Sequence, residues 1–136
     1  MKDEIIKKYV KDLDGLLKEV TLMEEVNAYN WQGKKEEMVI FLFGRLFRFL
    51  KFDSVTIGHD PHEKSFDAIA YTQESEEVRK IIIEFEVWSS NFKWEHETEP
   101  NQRVLIVCWE DDWKECPSNL EVFDLEPLWR QAQEKV

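Results

Sequence analysis

The stretch Ile81-Ile82-Ile83-Glu84-Phe85-Glu86-Val87 constrains the fold more than any other part of the chain. Its run of branched and aromatic residues reads as a strand lying inside a sheet and covered on both faces. Side chains alternate across a strand, so Glu84 and Glu86 fall on the same face. Two like charges on one side of an interior strand are costly unless a cation, a shared proton or an opening to water compensates them. The chain must build a sheet around this strand and serve one of its faces with something polar. The stretch is therefore the leading candidate for a functional site.

The remaining periodicities supply the partners of that strand. Residues 3–20 predict an amphipathic helix, with Ile6, Tyr9, Val10, Leu13, Leu17 and Val20 at helical spacing. Residues 21–33 lose the period and read as a connection. Residues 34–51 predict a second, stronger helix with a stripe of Val39, Leu42, Phe43, Leu46 and Leu50. Gly44 inside it costs about 1 kcal/mol against Ala, which predicts close packing at that point. Strands are expected at Ser54–Ile57, Phe66–Thr72, Lys80–Trp88, Val104–Trp109 and, as a short edge, Leu120–Leu125. Gly58-His59-Asp60-Pro61 is a turn signal, Gln73–Arg79 reads as a polar loop, residues 89–103 as irregular, and Pro127 opens a final helix. A meander followed by a crossover into a buried strand predicts an α/β mixed sheet with helices on both faces.

A length of 136 residues suits one domain with a core of its own, and 43% hydrophobic residues exclude a disordered chain. The net charge of −11 disfavours non-specific binding to DNA, RNA or an anionic membrane. Arg45, Arg48 and Lys51 make a basic ridge at i, i+3 and i+6 that either touches phosphates or forms a solvated helix face. The two cysteines give no disulfide framework, and Cys108, inside an apolar run, reads as a small buried hydrophobe. The N-terminus lacks a signal-peptide apolar core, and no segment approaches the roughly 18–20 apolar residues of a membrane span. A reducing cytosolic location is expected.

Asp67 stands near the start of one predicted strand, and Glu84 and Glu86 stand on the next. If the two strands pair as a hairpin, the three carboxylates converge, and such a cluster suits a hard cation such as Mg²⁺ or Mn²⁺. Otherwise Asp67 is a strand-end turn residue and the glutamates line a solvated face.

The order is a helix with an early Glu, a strand, a strand with Asp, a strand with Glu-x-(Lys or Glu), a helix and a strand. Over residues 34–113 it resembles the PD-(D/E)XK, or restriction-endonuclease-like, superfamily. The stretch EFEVWSSNF…VLIVCWEDDW is also similar to a group of small proteins in that superfamily. In them a Glu-Phe-Glu strand is followed by Ser-Asn-Phe, a His and an apolar strand ending Cys-Trp-Glu. The length suits a single domain, 1–136, of which the resemblance covers the middle. Its parts are an added N-terminal helix and connection (1–33), a nuclease-like core (34–113) and a C-terminal strand and helix (114–136).

The implied reaction is metal-dependent phosphodiester hydrolysis. Asp67 and Glu84 would bind the cation, and Glu86 would occupy the place where the superfamily has a lysine that orients or activates the attacking water. Glu36 or Glu37 would be the helix glutamate, with helical phase favouring Glu36. Many nucleases of this superfamily act as homodimers. Two departures stand out: Ser65-Phe66-Asp67 lacks the usual proline, and Glu86 replaces the lysine. A Glu there would serve as a general base or recruit a second metal. Lys80 shares the face parity of the two glutamates, and Lys93 follows the strand. A second reading keeps the fold without catalysis, as an acidic module that binds protein, and a third presents the acidic surface to a basic partner.

The flanking motifs carry weaker readings. Ser90, Asn91 and His96 either line the site mouth or, for the serines, cap a short helix. His59 and His62 fit an ordinary turn, and Glu110-Asp111-Asp112 fits a solvated one. The Trp residues suit base stacking or, at least in half, the core.

Overall fold

The central strand organises the sheet. In a computed structural model, which describes residues 3–27, 36–57, 68–74, 76–92 and 103–134, five strands form one sheet in the order β1-β2-β3-β4-β5. They are β1 (Ser54–Ile57), β2 (Ala68–Glu74), β3 (Glu77–Trp88), β4 (Arg103–Glu110) and β5 (Leu120–Asp124). β1, β2 and β3 pair antiparallel, while β3/β4 and β4/β5 pair parallel. This is the expected α/β architecture, a mixed sheet with a meander, a crossover and a short edge strand. Residues 81–85 of β3 and 104–108 of β4 are buried on both faces, which explains their near-continuous apolar sequence.

The polar loop expected at Gln73–Arg79 is instead a hairpin whose ladder runs out to Glu74 opposite Glu77. Residues 77–80 are all exposed, so this arm of the ribbon leaves no alternating apolar pattern in the sequence. Its polar composition hid the strand.

The helix expected over 3–20 is two helices, α1 (Asp3–Tyr9) and α2 (Leu13–Asn27), and α2 also takes in much of the expected connection. Asp12 Oδ1 accepts the Gly15 N–H at 3.0 Å and so caps α2. Val10 leaves the helix to bridge Leu50; the Phe49 carbonyl accepts from Lys11 N at 2.7 Å, and the Tyr9 carbonyl accepts from Lys51 N at 2.8 Å. The joint spends the backbone groups of Tyr9–Asp12 on a neighbouring segment, while the apolar period runs through the break unchanged.

That neighbouring segment follows α3 (Glu36–Leu46), which ends in a 3-10 turn at Phe47–Phe49. The predicted stripe of Val39, Leu42, Phe43, Leu46 and Leu50 is buried throughout. Close packing at Gly44 is absent: a Cβ there meets no atom within 4 Å. α4 (Glu126–Glu134) opens with Pro127 in its first turn, where a missing N–H is harmless.

α1 to α4 bury their apolar residues in one cluster with Ile81, Ile83, Phe85, Leu105, Val107 and Phe123. Phe43 anchors it, 5.5 Å edge-on to Phe85 and 6.1 Å from Phe52. The segment 3–27 is therefore part of the same core. The opposite face, made by Ile82, Val104, Ile106, Cys108 and Leu120, is packed by Phe92, Trp113 and Cys116. Helices were expected on both faces. Those described occupy one, and residues 93–102 of the crossover lie outside the described residues. Among the described residues no helix is long and apolar enough to cross a membrane.

Candidate functional site

Alternation along β3 puts Ile81, Ile83 and Phe85 on the helix side and Ile82, Glu84 and Glu86 on the other. Glu84 is buried, at 8% exposure, and Glu86 is half-buried. The parallel ladders place Glu84 opposite Ile106 and Glu86 opposite Cys108, which itself stands opposite Asp124. Glu86, Cys108 and Asp124 thus form a row across three parallel strands at their carboxyl ends, where sites of α/β proteins open.

The row is acidic, with Cys108 and Asp124 buried and Glu86 half-buried. Burial pushes the Cys108 thiol far above its usual value, and the carboxylates of Asp124, Asp111, Asp112 and Glu86 push it further, so the sulfur stays a neutral thiol. Burial also raises the Asp124 carboxyl above the usual range, with Asp111 and Glu126 adding to the effect.

A serine–aspartate latch closes the same end. Ser89 Oγ donates to Asp111 Oδ1 at 2.6 Å and accepts the Asp112 N–H at 3.1 Å. Ser90 donates its N–H to Asp112 Oδ1 at 3.1 Å and its hydroxyl to Oδ2 at 2.9 Å. Desolvation alone would raise Asp112, but these bonds from Ser90 and Ser89 hold its carboxyl below the usual range. The serines do not cap the 3-10 turn Ser89–Asn91, whose N-cap is Trp88. They tie the end of β3 to the end of β4, and Asp111 and Asp112 are its anchors rather than a purely solvated turn. Trp88 Nε1 adds a bond to Glu110 Oε2 at 3.2 Å.

Of the predicted site residues, Glu84 and Glu86 share one face of β3. Asp67 lies outside the described residues, immediately before the first residue of β2. Glu36 and Glu37 are exposed in the first turn of α3, whose buried stripe packs on the face opposite the two glutamates. Lys80 sits on the exposed ribbon, about 13 Å along the strand from Glu84 at roughly 3.3 Å per residue, too far to replace the missing lysine. Lys93, His96, His59 and His62 fall outside the described residues.

The basic ridge is an exposed helix face, as one of its two readings had it, and its cations are tied to the neighbouring helices. Arg45 grips the buried Glu19 of α2 through Nε at 3.0 Å and Nη2 at 2.6 Å, and Arg48 reaches the other oxygen at 3.1 Å. Lys51 Nζ donates to the Lys7 carbonyl at 2.8 Å. The described Trp residues include two that face each other, Trp109 and Trp129 at 5.8 Å, and one, Trp113, set against Phe92 at 6.4 Å.

Sequence reasoning missed Asp124 and the Ser89–Asp111 latch. Both depend on strand order and register, which no local pattern carries. For Glu19 a faint signal existed, since a lone Glu between Leu16, Leu17 and Val20 on an apolar face asks for a cation.

Glu84 and Glu86 offer oxygen donors that suit a hard cation. Among the described residues no group of three or more His, Cys, Asp or Glu is placed to hold a metal ion. Comparison of the chain with family models, with curated proteins and with solved structures returns no match.

Proposed function

We propose that the protein is a divalent-cation-dependent nuclease with a restriction-endonuclease-like core. The observation carrying this reading is a buried Glu84 sharing its face with Glu86 on the strand where an antiparallel meander meets a parallel crossover. Asp67 and Glu84 would hold Mg²⁺ or Mn²⁺. A cation bound there would polarise a phosphoryl oxygen and acidify bound water. Glu86, half-exposed at the carboxyl end, would take the proton of the attacking water, while Glu36, exposed on a helix packed against the other face of the sheet, takes no part. The Ser89–Asp111 latch keeps the ends of β3 and β4 in fixed register beside those carboxylates.

A second reading, the fold kept as an acidic protein-binding module without catalysis, has its own support. All five arginines of the chain are ion-paired: Arg45 and Arg48 with Glu19, Arg79 with Glu77, Arg103 with Glu121, and Arg130 with Glu126. None of these is left as a free fork for a phosphate backbone.

Calorimetry with Mn²⁺ and Mg²⁺ separates the two. Saturable binding that disappears in Glu84→Gln and in Asp67→Asn, with cleavage of nicked, branched or single-stranded DNA or of RNA lost in both, supports the nuclease. Absence of binding at millimolar metal removes it and leaves the module.

A further inference from the structure

β5 is the last strand of the sheet, and a cleft of about 640 Å³ runs along its outer side, lined among others by Glu4, Asp111, Trp113, Val122 and Asp124. Leu125 N–H donates to the Cys108 carbonyl, so odd-numbered residues of β5 turn their backbone groups toward β4. By alternation Val122 turns its N–H and C=O outward, and Val122 lines the cleft. Among the described residues no strand pairs with this edge. Glu121 is already held by Lys8 Nζ at 2.6 Å and faces Arg103 at 3.7 Å, and the other acids lining the cleft, Glu4, Asp111 and Asp124, outnumber its lysine, Lys114.

We infer that this cleft receives an extended, lysine- or arginine-rich segment of another protein, added to β5 as a sixth strand. Strand addition supplies main-chain bonds along the edge, while alternate side chains of the guest are read by pockets beside it. Here the readers are carboxylates, and the excess of acid over base selects a cationic guest. Trp113, already braced by Phe92, offers a ring face to an aliphatic stem or a cationic head. Leu120 N–H is already taken by the Pro117 carbonyl at 3.1 Å, so the open edge runs from the Leu120 carbonyl to Asp124, about 13 Å at roughly 3.3 Å per residue, enough for a short extended guest. The inference does not rest on the metal reading, since Glu84 and Glu86 take no part in it. It gives the protein-binding reading a surface and a partner chemistry.

The test uses the full-length protein and a short capped peptide alternating lysine and valine, followed by calorimetry and amide NMR. Saturable binding is expected, with the Val122 amide shifted and protected from exchange. N-methylation of the peptide on one alternating set of nitrogens should weaken binding by about tenfold and on the other set hardly at all, because only one set faces the edge. Glu4→Lys should weaken it too, from an exposed position on α1 that the core does not need. Equal binding of both methylated peptides, displacement by spermine at matched charge concentration, or no saturable binding would each overturn the inference.

Discussion

Gly15 and Gly44 occupy two neighbouring helices and answer oppositely to the same added methyl. At Gly44 a Cβ meets nothing, so Gly44→Ala should raise stability by about 0.5–1 kcal/mol through helix propensity alone. At Gly15 the methyl would lie 2.5 Å from Asp12 Oδ2 and 2.8 Å from Phe49 Cε1. Gly15→Ala must therefore displace the cap of α2 and a ring of the joint, a loss of about 1–2 kcal/mol. Urea melts of the two variants test both signs. From the sequence only Gly44 looked constrained, because a glycine in a strong stripe draws notice and one before a hidden helix break does not. Asp124 gives a pH dependence of definite sign. Its carboxyl is raised in the folded state above the ordinary 3.8, mainly by burial, so over that window the folded protein holds the extra proton. Its contribution therefore weakens the fold as pH rises from about 3.8 through the raised value and is constant beyond. In Asp124→Asn that decline should vanish, with the variant gaining on the wild type as pH rises through the window in denaturant titrations.

Elements were legible wherever one face is buried and the period is clean: the α3 stripe, the interior of β3, the apolar β4 and the Pro127 start of α4 follow from pattern alone. Legibility failed where an element is defined by what it bonds to. The break at Val10–Asp12 exists because Phe49, Leu50 and Lys51 supply backbone partners, and the β2–β3 ribbon exists because two polar segments find each other. The joining of α2 to α3 belongs to the same class. Glu19 is 8% exposed and takes three bonds from Arg45 and Arg48, whose side chains are 48% and 70% exposed. The carboxylate is the costly member, since it alone has left water. Arg45→Ala removes its two short contacts and should cost about 1–2 kcal/mol, whereas Arg48→Ala, losing one largely solvated pair, should cost no more than about 0.5 kcal/mol. Glu19→Ala should cost no more than Arg45→Ala, because it leaves only exposed guanidinium groups behind. Chemical denaturation of the three variants decides the order, and an equal loss at both arginines would refute this division of labour.

Across the whole molecule, charge is the property that fold and candidate site share. The net −11 is not spread evenly: Glu84, Glu86, Asp111, Asp112 and Asp124 gather at one end of the parallel strands, while each arginine is held by a carboxylate elsewhere. Some of this was visible beforehand. The paired glutamates of β3 announced an expensive face, but the arrival of Asp124 in the same row depended on β5 lying beside β4. Such an arrangement repels itself, so monovalent salt should stabilise the fold by screening, with the melting temperature rising between low and moderate ionic strength. Glu86→Lys reverses one charge on the face that Glu84 and Asp124 share. It should raise stability by about 1 kcal/mol at low salt and flatten the salt dependence. Both effects concern electrostatics alone and hold whether or not the protein is catalytic. A divalent cation then becomes informative. At ionic strength matched with NaCl, Mn²⁺ should raise the melting temperature of the wild type beyond the screening effect, and Glu84→Gln should remove that excess while keeping the response to NaCl. Should Mn²⁺ and Na⁺ act alike at matched ionic strength, the acidic end is a diffuse field and not a binding site, and the surface along β5 becomes the better guide to what the protein does.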